Sequence, residues 1–385
     1  MDAREATHRR LRVGVVGCGV IAQVMHLPHL VALSDRYELA AVCDISESLA
    51  AGCAQRYGAG VAFTDYEQML AQAGLDVVLD LTPDSHAPLA LAAIAAGCHV
   101  FVEKPMCFGL EEGREVFEAV RGAGVAFMIG THKRYDPAYE RLLELLPGVS
   151  VPLVQSTTLE SPFEPYVQHY GLLPIEGAPA ERLAQLRAEH AARLHRALPD
   201  ADPETLHCYR YMLLCNLIHE LNMLRGALGE PDVVRHANVG REVTHIEMRF
   251  GSTECHLSWV NLPGMARYSQ KLAFFGLERR LTLELPSPYL RDMPSQLVTE
   301  AGETGTTHST RTVEVLSYQE AFKRELIELA DAIEHGRDPR TNVIDGLSDV
   351  ALCHSIIRSH MSGEPVEQPS RLPDWALEPV GGASR

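Results

Sequence analysis

The stretch "RVGVVGCGVIA", residues 12–22, decides the fold, because it joins a buried strand directly to a turn of small residues. The first glycine, Gly17, allows a tight turn, and Gly19 lets the backbone approach a pyrophosphate. Ala22 permits close contact between the following helix and the sheet, and that helix points its N-terminus at anionic phosphates. The turn residues that we predict to contact a dinucleotide are Gly17, Gly19, Val20, Ile21 and Ala22.

An acidic residue at the end of the second strand supports this interpretation. Asp44 in "AAVCDIS" lies about 20 residues beyond the turn, where a carboxylate accepts hydrogen bonds from the ribose hydroxyls. The same carboxylate would repel a 2′-phosphate, so the sequence predicts NAD as the cofactor, in preference to NADP. A tight turn followed by a solvated Asp is the structural alternative.

Strands and helices alternate from residue 10 to about residue 130. Strand–helix alternation at this spacing predicts right-handed crossovers and a doubly wound parallel sheet covered on both faces. The predicted strands are "LRVGVVG", "ELAAVCD", "DVVLDLT", "CHVFVEK" and "VAFMIGT". The predicted helices are Ile21–Leu33, Ser46–Tyr57, Tyr66–Ala73, Ala87–Ala96 and Leu110–Arg121.

The pattern changes after Pro147. Residues 151–159 alternate as a half-buried strand does, and residues 233–299 hold several more alternating runs, which predict a large, open and mostly antiparallel sheet. Helices are predicted over 180–198, 209–228, 318–335 and 343–361. We therefore predict a Rossmann domain over residues 10–147 and a second α/β domain over 148–317, with a helical insertion at about 178–200. Residues 318–385 would return towards the first domain.

Composition narrows the class of protein. The chain of 385 residues is longer than one typical core, and its 46% hydrophobic and 22% charged residues are ordinary for a globular protein. With 34 basic against 51 acidic side chains the net charge is −17, which argues against a nucleic-acid or anionic-membrane partner. No apolar run approaches the roughly 20 residues that a membrane span needs, and the polar N-terminus lacks the apolar region of a signal peptide. The nine cysteines are scattered, which indicates reduced thiols. We expect a soluble, cytoplasmic protein.

Two further turns follow strands of the predicted parallel sheet, at the edge where such sheets bind ligands. Thr82 and Pro83 end one strand, and Glu103-Lys104-Pro105 ends the next. Lys104 would point into the crevice near the nicotinamide, and the X-Pro bond at this turn could be cis. A surface lysine before an incidental proline is the alternative for this tripeptide taken alone.

The turns and the Glu-Lys-Pro tripeptide together resemble the Gfo/Idh/MocA family, named for glucose-fructose oxidoreductase, inositol dehydrogenase and a rhizopine-catabolism protein. The resemblance covers nearly the whole chain and includes "GCGVIAQVMHLPHL", "TPDSHAPLALAAIAAGCHVFVEKP", "GTHKRYDPAYERL", "LIHELNMLRGALGEP" and the closing "FKRELIELADAIEHGRDPRTNVIDGLSDVALCHSIIRS". It implies an oxidoreductase that acts on a secondary alcohol of a sugar or cyclitol with NAD(P), and a homo-oligomer, dimer or tetramer, built through the second sheet.

The resemblance also implies the catalytic pair, Lys104 and His219. The family has an Asp four residues before this histidine and another three after it, whereas this chain has Cys215 and Asn222. All three positions share one face of a regular helix. The loss of both carboxylates puts the acid–base partner and the substrate in doubt, and Glu220 lies about 100° around the helix from His219. A satisfied core histidine is the structural alternative for His219.

The remaining candidates follow from position in the predicted crevice. The residues predicted to contact the cofactor, besides those of the glycine turn, are Asp44, Thr82, Pro83, His86, Glu103, Lys104 and Arg134. Those predicted to contact the substrate are Lys104, His132, Tyr135, Tyr166, Cys215, His219 and Asn222. We predict no metal: a zinc site of His207, Cys208, Cys215 and His219 has poor ligand spacing. The helix over 180–198 could be a lid, an oligomer contact or an excursion.

Three functions remain open on the sequence. The leading hypothesis is an NAD-dependent sugar or cyclitol dehydrogenase or ketoreductase in which Lys104 and His219 manage the hydroxyl proton. A redox-neutral lyase, epimerase or glycosidase that uses transient oxidation is the enzymatic alternative. A sensor that binds NAD and a sugar without turnover is the third, although retention of both catalytic residues argues against it.

Overall fold

The computed structural model describes residues 9–377, which form two sheets with helices packed against them. The first sheet has six strands in the order β3-β2-β1-β4-β5-β6, and every neighbouring pair is parallel. Its strands are β1 (Leu11–Val16), β2 (Tyr37–Cys43), β3 (Val61–Phe63), β4 (Val77–Asp80), β5 (His99–Glu103) and β6 (Phe127–Gly130). The predicted doubly wound parallel sheet is confirmed.

Helices cover both faces of this sheet. Val13, Val15, Val77 and Val100 are completely buried, as expected for a parallel sheet enclosed on both sides. The helices of this part are α1 (Leu27–Ala32), α2 (Glu47–Tyr57), α3 (Tyr66–Gln72), α4 (Ala87–Ala95), α5 (Leu110–Ala123) and α6 (Pro137–Leu145). A π-helical turn, Ala22–His26, precedes α1 directly. The sequence analysis missed both β3, a short and exposed edge strand, and α6.

The second sheet has nine strands in the order β14-β13-β12-β11-β7-β10-β9-β8-β15. β7 and β10 are parallel, and all other neighbours are antiparallel, so the prediction of a mostly antiparallel sheet is confirmed. The strands are β7 (Leu153–Glu160), β8 (Val233–Asn238), β9 (Val243–Phe250), β10 (Thr253–Asn261), β11 (Ser269–Phe275), β12 (Arg279–Leu285), β13 (Gln296–Gly302), β14 (Ser309–Glu314) and β15 (Val366–Glu367).

Burial alternates along these strands, so one face of the sheet is covered by helices and the other is open. On β10, Cys255 and Leu257 are fully buried while His256 between them is exposed. The helices that follow β7 are α7 (Glu164–Val167), α8 (Ala180–Ala197), α9 (Pro203–His207), α10 (Ile218–Leu228), α11 (Ala321–His335), α12 (Val343–Ser362) and α13 (Asp374–Leu377). No helix within residues 9–377 is long and apolar enough to cross a membrane.

The helix predicted over 209–228 is not uniform. Residues Cys208–Leu217 form a π-helix, and regular α-helix begins only at Ile218. A π-helix has a wider turn than an α-helix, so a face drawn at 100° per residue does not hold across this junction. The change occurs between Cys215 and His219, two of the predicted site residues.

The two long C-terminal helices pack back on the first sheet. Leu326 and Leu329 of α11 lie in the same buried cluster as Val13 and Leu79. Leu347 of α12 packs on the opposite face of that sheet. These two helices therefore belong to the core of the first sheet.

Candidate active site

The glycine turn has the geometry that a dinucleotide needs. Gly17 has a φ of +91°, and a Cβ there would lie 2.8 Å from the carbonyl group of Leu81, so only glycine fits. A Cβ at Gly19 would meet no protein atom within 4 Å, which leaves open space in front of the helix N-terminus. Ala22 is fully buried against the sheet. The turn therefore fits a pyrophosphate.

Asp44 is tied to the glycine turn. Its carboxylate accepts the backbone N–H of Cys18 at 2.9 Å and that of Ser46 at 2.8 Å. The side chain is half-buried, so its remaining acceptor positions stay available to a ribose. Together with the space at Gly19, this carboxylate makes the end of β2 suitable for the adenosine half of NAD.

The turn after β4 is organised by a buried carboxylate that sequence analysis did not identify. Asp80 accepts both the backbone N–H of Thr82, at 3.0 Å, and its hydroxyl, at 2.6 Å. Thr82 and Pro83 remain on the crevice side of the turn. His86 lies beside the same carboxylate: its Nδ1 is 3.0 Å from Asp80 and only 1% of the residue is exposed, and its contact with the cofactor stays a prediction.

Lys104 stands at the end of β5 and reaches across the crevice. The peptide bond to Pro105 is cis. Its Nζ donates a 2.7 Å hydrogen bond to the backbone carbonyl of Cys215 in the π-helix. This hydrogen bond joins the end of β5 to the helical segment that leads to His219. It places the ammonium group at a main-chain carbonyl four positions before His219 in the sequence.

His219 is held in a cationic and dry environment. Burial, followed by the positive charges of Lys133 and Lys104, holds the pKa of His219 well below its usual range. Its Nδ1 is buried and has no hydrogen-bond partner among residues 9–377. The imidazole is therefore neutral at neutral pH and can accept a proton.

His132 lies directly behind His219. The two rings meet edge to face with 4.9 Å between their centroids, and His132 stacks on Phe322 of α11 at 3.9 Å. Burial also holds the pKa of His132 well below its usual value. His132 therefore forms a wall of the imidazole pocket with only 6% of its surface exposed, and its contact with the substrate stays a prediction.

Cys215 contributes its main chain. The carbonyl holds Lys104, while burial raises the pKa of the thiol above its usual value, so the side chain stays uncharged. The side chain is half-exposed beside the lysine. The sequence analysis considered only what a cysteine side chain could do, because the π-helical geometry was not visible in the letters.

Four other residues that we predict to contact a ligand bind partners inside the protein, and their ligand contacts stay predictions. Asn222 is completely buried, and its amide donates to Asp345 and Asp349 of α12, at 2.7 Å each. Arg134 points the same way and binds Asn222. The hydroxyl of Tyr135 lies 2.9 Å from that of Thr341, and only 2% of the residue is exposed. The fourth is Glu103, described below.

Tyr166 lies at the rim. Its hydroxyl donates to the carbonyl of Ala266 at 3.0 Å and accepts the backbone N–H of Tyr268 at 2.7 Å, so it supports a loop of the second sheet. Its substrate contact stays a prediction.

Tyr289 follows β12 and is half-buried. It packs against the apolar cluster of Val24, Met25, Val167 and Phe322 next to the glycine turn.

A buried polar chain runs from the site onto the second sheet. Lys133 donates to Gln270 at 2.6 Å, and Gln270 donates to Glu220 at 2.5 Å. Thr158 also donates to this carboxylate, at 2.6 Å. Glu160 lies near the lysine, and burial raises the pKa of that carboxyl group. No spacing in the sequence indicates this hydrogen-bonded network, because its members come from four separate elements.

Glu103 belongs to a second buried cluster. Its carboxylate is 2.8 Å from Nε2 of His26, and both side chains lie close to Glu325 of α11. Only 7% of Glu103 is exposed, and its carboxylate accepts the backbone N–H of Lys104 at 3.3 Å; its contact with the cofactor stays a prediction. Within residues 9–377 these are the only three His, Cys, Asp or Glu side chains close enough to share a metal ion. The alternative set at His207, Cys208, Cys215 and His219 does not converge.

The insertion before α10 crosses the ligand-binding edge of the first sheet. Residues 171–177, which we call the strap, are anchored at the start of α2 and at the π-helical turn Ala22–His26. Leu173 exchanges hydrogen bonds of 2.7 and 3.3 Å with the side chain of Gln23, and Ser46 donates to the carbonyl of Glu176 at 2.5 Å.

The helix that follows the strap continues across the same edge. His190 of α8 lies 3.0 Å from Asp84, after β4, and Arg193 donates to Glu112, after β5, at 2.9 Å. The strap and α8 therefore span the crevice edge from β2 to β5.

Asp84 is the central anchor of this cover. Arg210 of the π-helix binds it through two nitrogens, and the residue has a φ of +76°. Burial alone would raise the pKa of Asp84, but the hydrogen bonds from His190 and Arg210 outweigh it and hold the pKa below its ordinary value.

Comparison with known proteins agrees with this geometry. Residues 11–131 match the model of the GFO_IDH_MocA family, described as "Oxidoreductase family, NAD-binding Rossmann fold". The chain is 24% identical over 368 residues to inositol 2-dehydrogenase 3 of Saccharopolyspora erythraea, covering 92% of this chain and 95% of that protein. It is 34% identical over 139 residues to D-glucoside 3-dehydrogenase of Escherichia coli, covering 36% of this chain and 39% of the relative.

Solved structures share the architecture. Levoglucosan dehydrogenase in complex with NADH superposes with a TM-score of 0.72 at 18% identity, over 94% of this chain and all of that one. This likeness concerns the fold, and it includes both sheets. The glycine turn, Asp44 and the matched family model together lead to one conclusion: over residues 11–131 the chain carries the NAD-binding Rossmann fold of the Gfo/Idh/MocA oxidoreductase family.

Proposed function

We propose that this protein is an NAD-dependent dehydrogenase that transfers hydride between nicotinamide and a secondary alcohol or ketone of a sugar or cyclitol. The observation that carries the proposal is the pairing of a neutral imidazole, His219, with an ammonium group, Lys104, in the crevice of an NAD-binding fold. The substrate class also rests on the inositol and glucoside dehydrogenases to which the chain is similar.

The cofactor would be held by the glycine turn, Asp44 and Thr82. When bound, NAD accepts a hydride from the carbon that carries the hydroxyl group. The choice of NAD over NADP rests on Asp44, whose negative charge would repel a 2′-phosphate.

His219 would act as the general base in the oxidative direction. A hydroxyl group that loses its hydride must also lose its proton, and a neutral imidazole within hydrogen-bonding reach can take it. The positive charges of Lys104 and Lys133 favour the alkoxide that develops on the substrate oxygen. In the reductive direction the imidazolium returns the proton. The missing carboxylates are therefore not needed for proton transfer itself.

The test is a substrate panel of sugars, glycosides and cyclitols incubated with NAD, in which absorbance at the NADH band and product mass are followed together. We expect NADH to form with a product two hydrogens lighter. Lys104→Met should lower kcat/KM by about 10²-fold or more. Lys323→Met, on the first turn of α11, removes a lysine outside the proposed machinery and is the matched control. NADH formation that Lys104→Met leaves unchanged would contradict the proposal.

A redox-neutral reaction is the second candidate, and one observation favours it. Glu160 and Lys133 add two buried titratable groups beside the pair, more than a single proton transfer requires. An elimination or epimerisation through a transient ketone needs such extra groups to move a second proton. A changed product without net NADH would assign this chemistry.

A further inference from the structure

A second cavity lies outside the crevice, on the outer face of the first sheet's helices. It has a volume of about 440 Å³ and is bounded by α1, the end of α2, and the loops that hold Tyr170 and Arg291. This volume is in the range of small-molecule sites. Lys104, His219, Asp44 and the glycine turn do not contribute to its walls.

The walls carry two positive charges and no negative one. Arg56 and Arg291 both line the cavity, and neither is paired with a carboxylate among the described residues. Other arginines of the chain are neutralised: Arg36, Arg141, Arg210 and Arg225 all pair with acids. Two unpaired guanidinium groups facing one cavity favour an anion.

Two tyrosines hold the arginines in place. The guanidinium of Arg291 lies 4.3 Å from the ring centre of Tyr170, and stacking of this kind leaves the in-plane N–H donors free. Arg56 donates to the carbonyl of Gly171 at 2.8 Å. Burial raises the pKa of Tyr57, while both arginines lie close enough to oppose that shift. The charges therefore converge on one wall.

The floor of the cavity connects it to the cofactor turn. The side chain of Gln23 donates to the carbonyl of Cys18, inside the glycine turn, and also holds Leu173 of the strap. Gly171, where the strap begins, lines the same cavity. A ligand seated between the arginines would touch Gln23, one anchor of the strap, and Gly171, where the strap begins.

We propose that this cavity is a second ligand site, for a small oxyanion-bearing metabolite, separate from the dinucleotide crevice. Phosphate esters and polycarboxylates share the recognition chemistry. Each presents a pair of oxygens that can accept two N–H donors from one guanidinium group. The tyrosines and the apolar side of α1 receive the uncharged part of such a molecule.

The test is calorimetric titration of the whole protein, saturated with NADH, at constant ionic strength. The probes are inorganic phosphate, pyrophosphate, a hexose phosphate and citrate, so that the phosphate and carboxylate arms are separated. We expect saturable 1:1 binding of at least one probe. Arg56→Gln combined with Arg291→Gln should weaken that binding by about ten-fold or more.

The matched control is Arg311→Gln combined with Arg371→Gln. It also removes two positive charges, but from exposed positions outside the cavity. Binding to it should stay within about two-fold of the parent protein. Thermal melting without ligand shows that both double variants are folded. The proposal fails if no probe binds up to about 10 mM, or if both double variants weaken binding equally.

Discussion

At the scale of single residues, the site depends on the charge state of one imidazole. His219 has two lysines nearby and no carboxylate of its own, so its neutral form is favoured. In the family pattern a carboxylate beside the histidine would favour the charged form instead. The same residue type therefore works here with the opposite electrostatic bias.

This bias predicts the pH dependence of the oxidation. Because the pKa of His219 is lowered by burial and by Lys133, the base stays neutral below pH 6.5, and the acidic limb of kcat/KM lies under that value. Lys133→Met removes one positive charge, so the pKa rises and the limb moves to higher pH. Rate profiles over pH 4.5–8, roughly spanning this limb, measure the movement.

Lys271→Met is the control for this variant, since Lys271 is an exposed neighbour of Gln270 that pairs with Glu284. Its profile should overlay that of the parent protein. In Lys133→Met the hydroxyl of Tyr268 still donates to Gln270, so the amide oxygen keeps a partner. Coincident acidic limbs in both lysine variants would show that Lys133 does not act on the base.

At the scale of elements, the strap and α8 act together as a cover. The hydrogen bonds at Asp84 join α8, the turn after β4 and the π-helix. We expect these bonds to break when the crevice opens for cofactor exchange, because they lie along its edge.

Loosening this anchor should speed the release of cofactor. Arg210→Met removes the bidentate partner of Asp84, and we expect NADH to dissociate about ten-fold faster, the effect of losing one charge-assisted contact. Stopped-flow fluorescence of bound NADH measures the rate. Arg187→Met, exposed on the same cover, should leave it unchanged. Equal release rates in the two variants would mean that α8 does not gate the crevice.

Acid should have a similar effect, with a defined sign. The hydrogen bonds from His190 and Arg210 hold the pKa of Asp84 in the folded protein below its ordinary value of 3.8. The stabilisation that it supplies is fully present above about pH 4 and is lost as the pH falls through the lowered pKa. We expect NADH release to accelerate only below that range, and acceleration at pH 5–6, roughly two units higher, would point to another group.

The elements also show what the sequence could and could not predict. Gly17 and Asp44 were predictable because a turn with positive φ and a strand-end carboxylate are local requirements. Asn222 was not, because helical spacing gives its angle from His219 but not which neighbour covers that flank. The covering helix is α12, more than a hundred residues further along the chain. Lys133, Gln270 and Glu220 form a chain only after folding, so no spacing reveals it.

At the scale of the whole molecule, one buried ion network joins distant parts of the chain. Arg225 of α10 pairs with Asp349 and Asp345 of α12 and with Glu230. Asn222 donates to the same two aspartates. Arg225 and Asp349 are almost completely buried, so each needs the opposite charge of the other in place of the water that it has lost.

Removing one partner should therefore destabilise the whole protein. Asp349→Ala leaves the guanidinium of Arg225 short of a buried acceptor, and we expect a loss of about 3–5 kcal/mol in the free energy of unfolding. Urea denaturation followed by circular dichroism measures it. Asp331→Ala breaks the half-exposed pair with Arg36 and should cost about 0–1 kcal/mol. Similar losses in both variants would mean that the buried network adds nothing beyond a surface pair.

The grip of Lys104 on the carbonyl of Cys215 has a consequence for evolution. A main-chain oxygen is present whatever side chain stands at a position, so the anchor of the lysine survives substitution there. The side chain at position 215 can therefore change while Nζ of Lys104 stays in the same position. We therefore expect substitutions at position 215 among related proteins to accompany a change of substrate. The absence of a carboxylate at this position is not by itself a sign that activity has been lost.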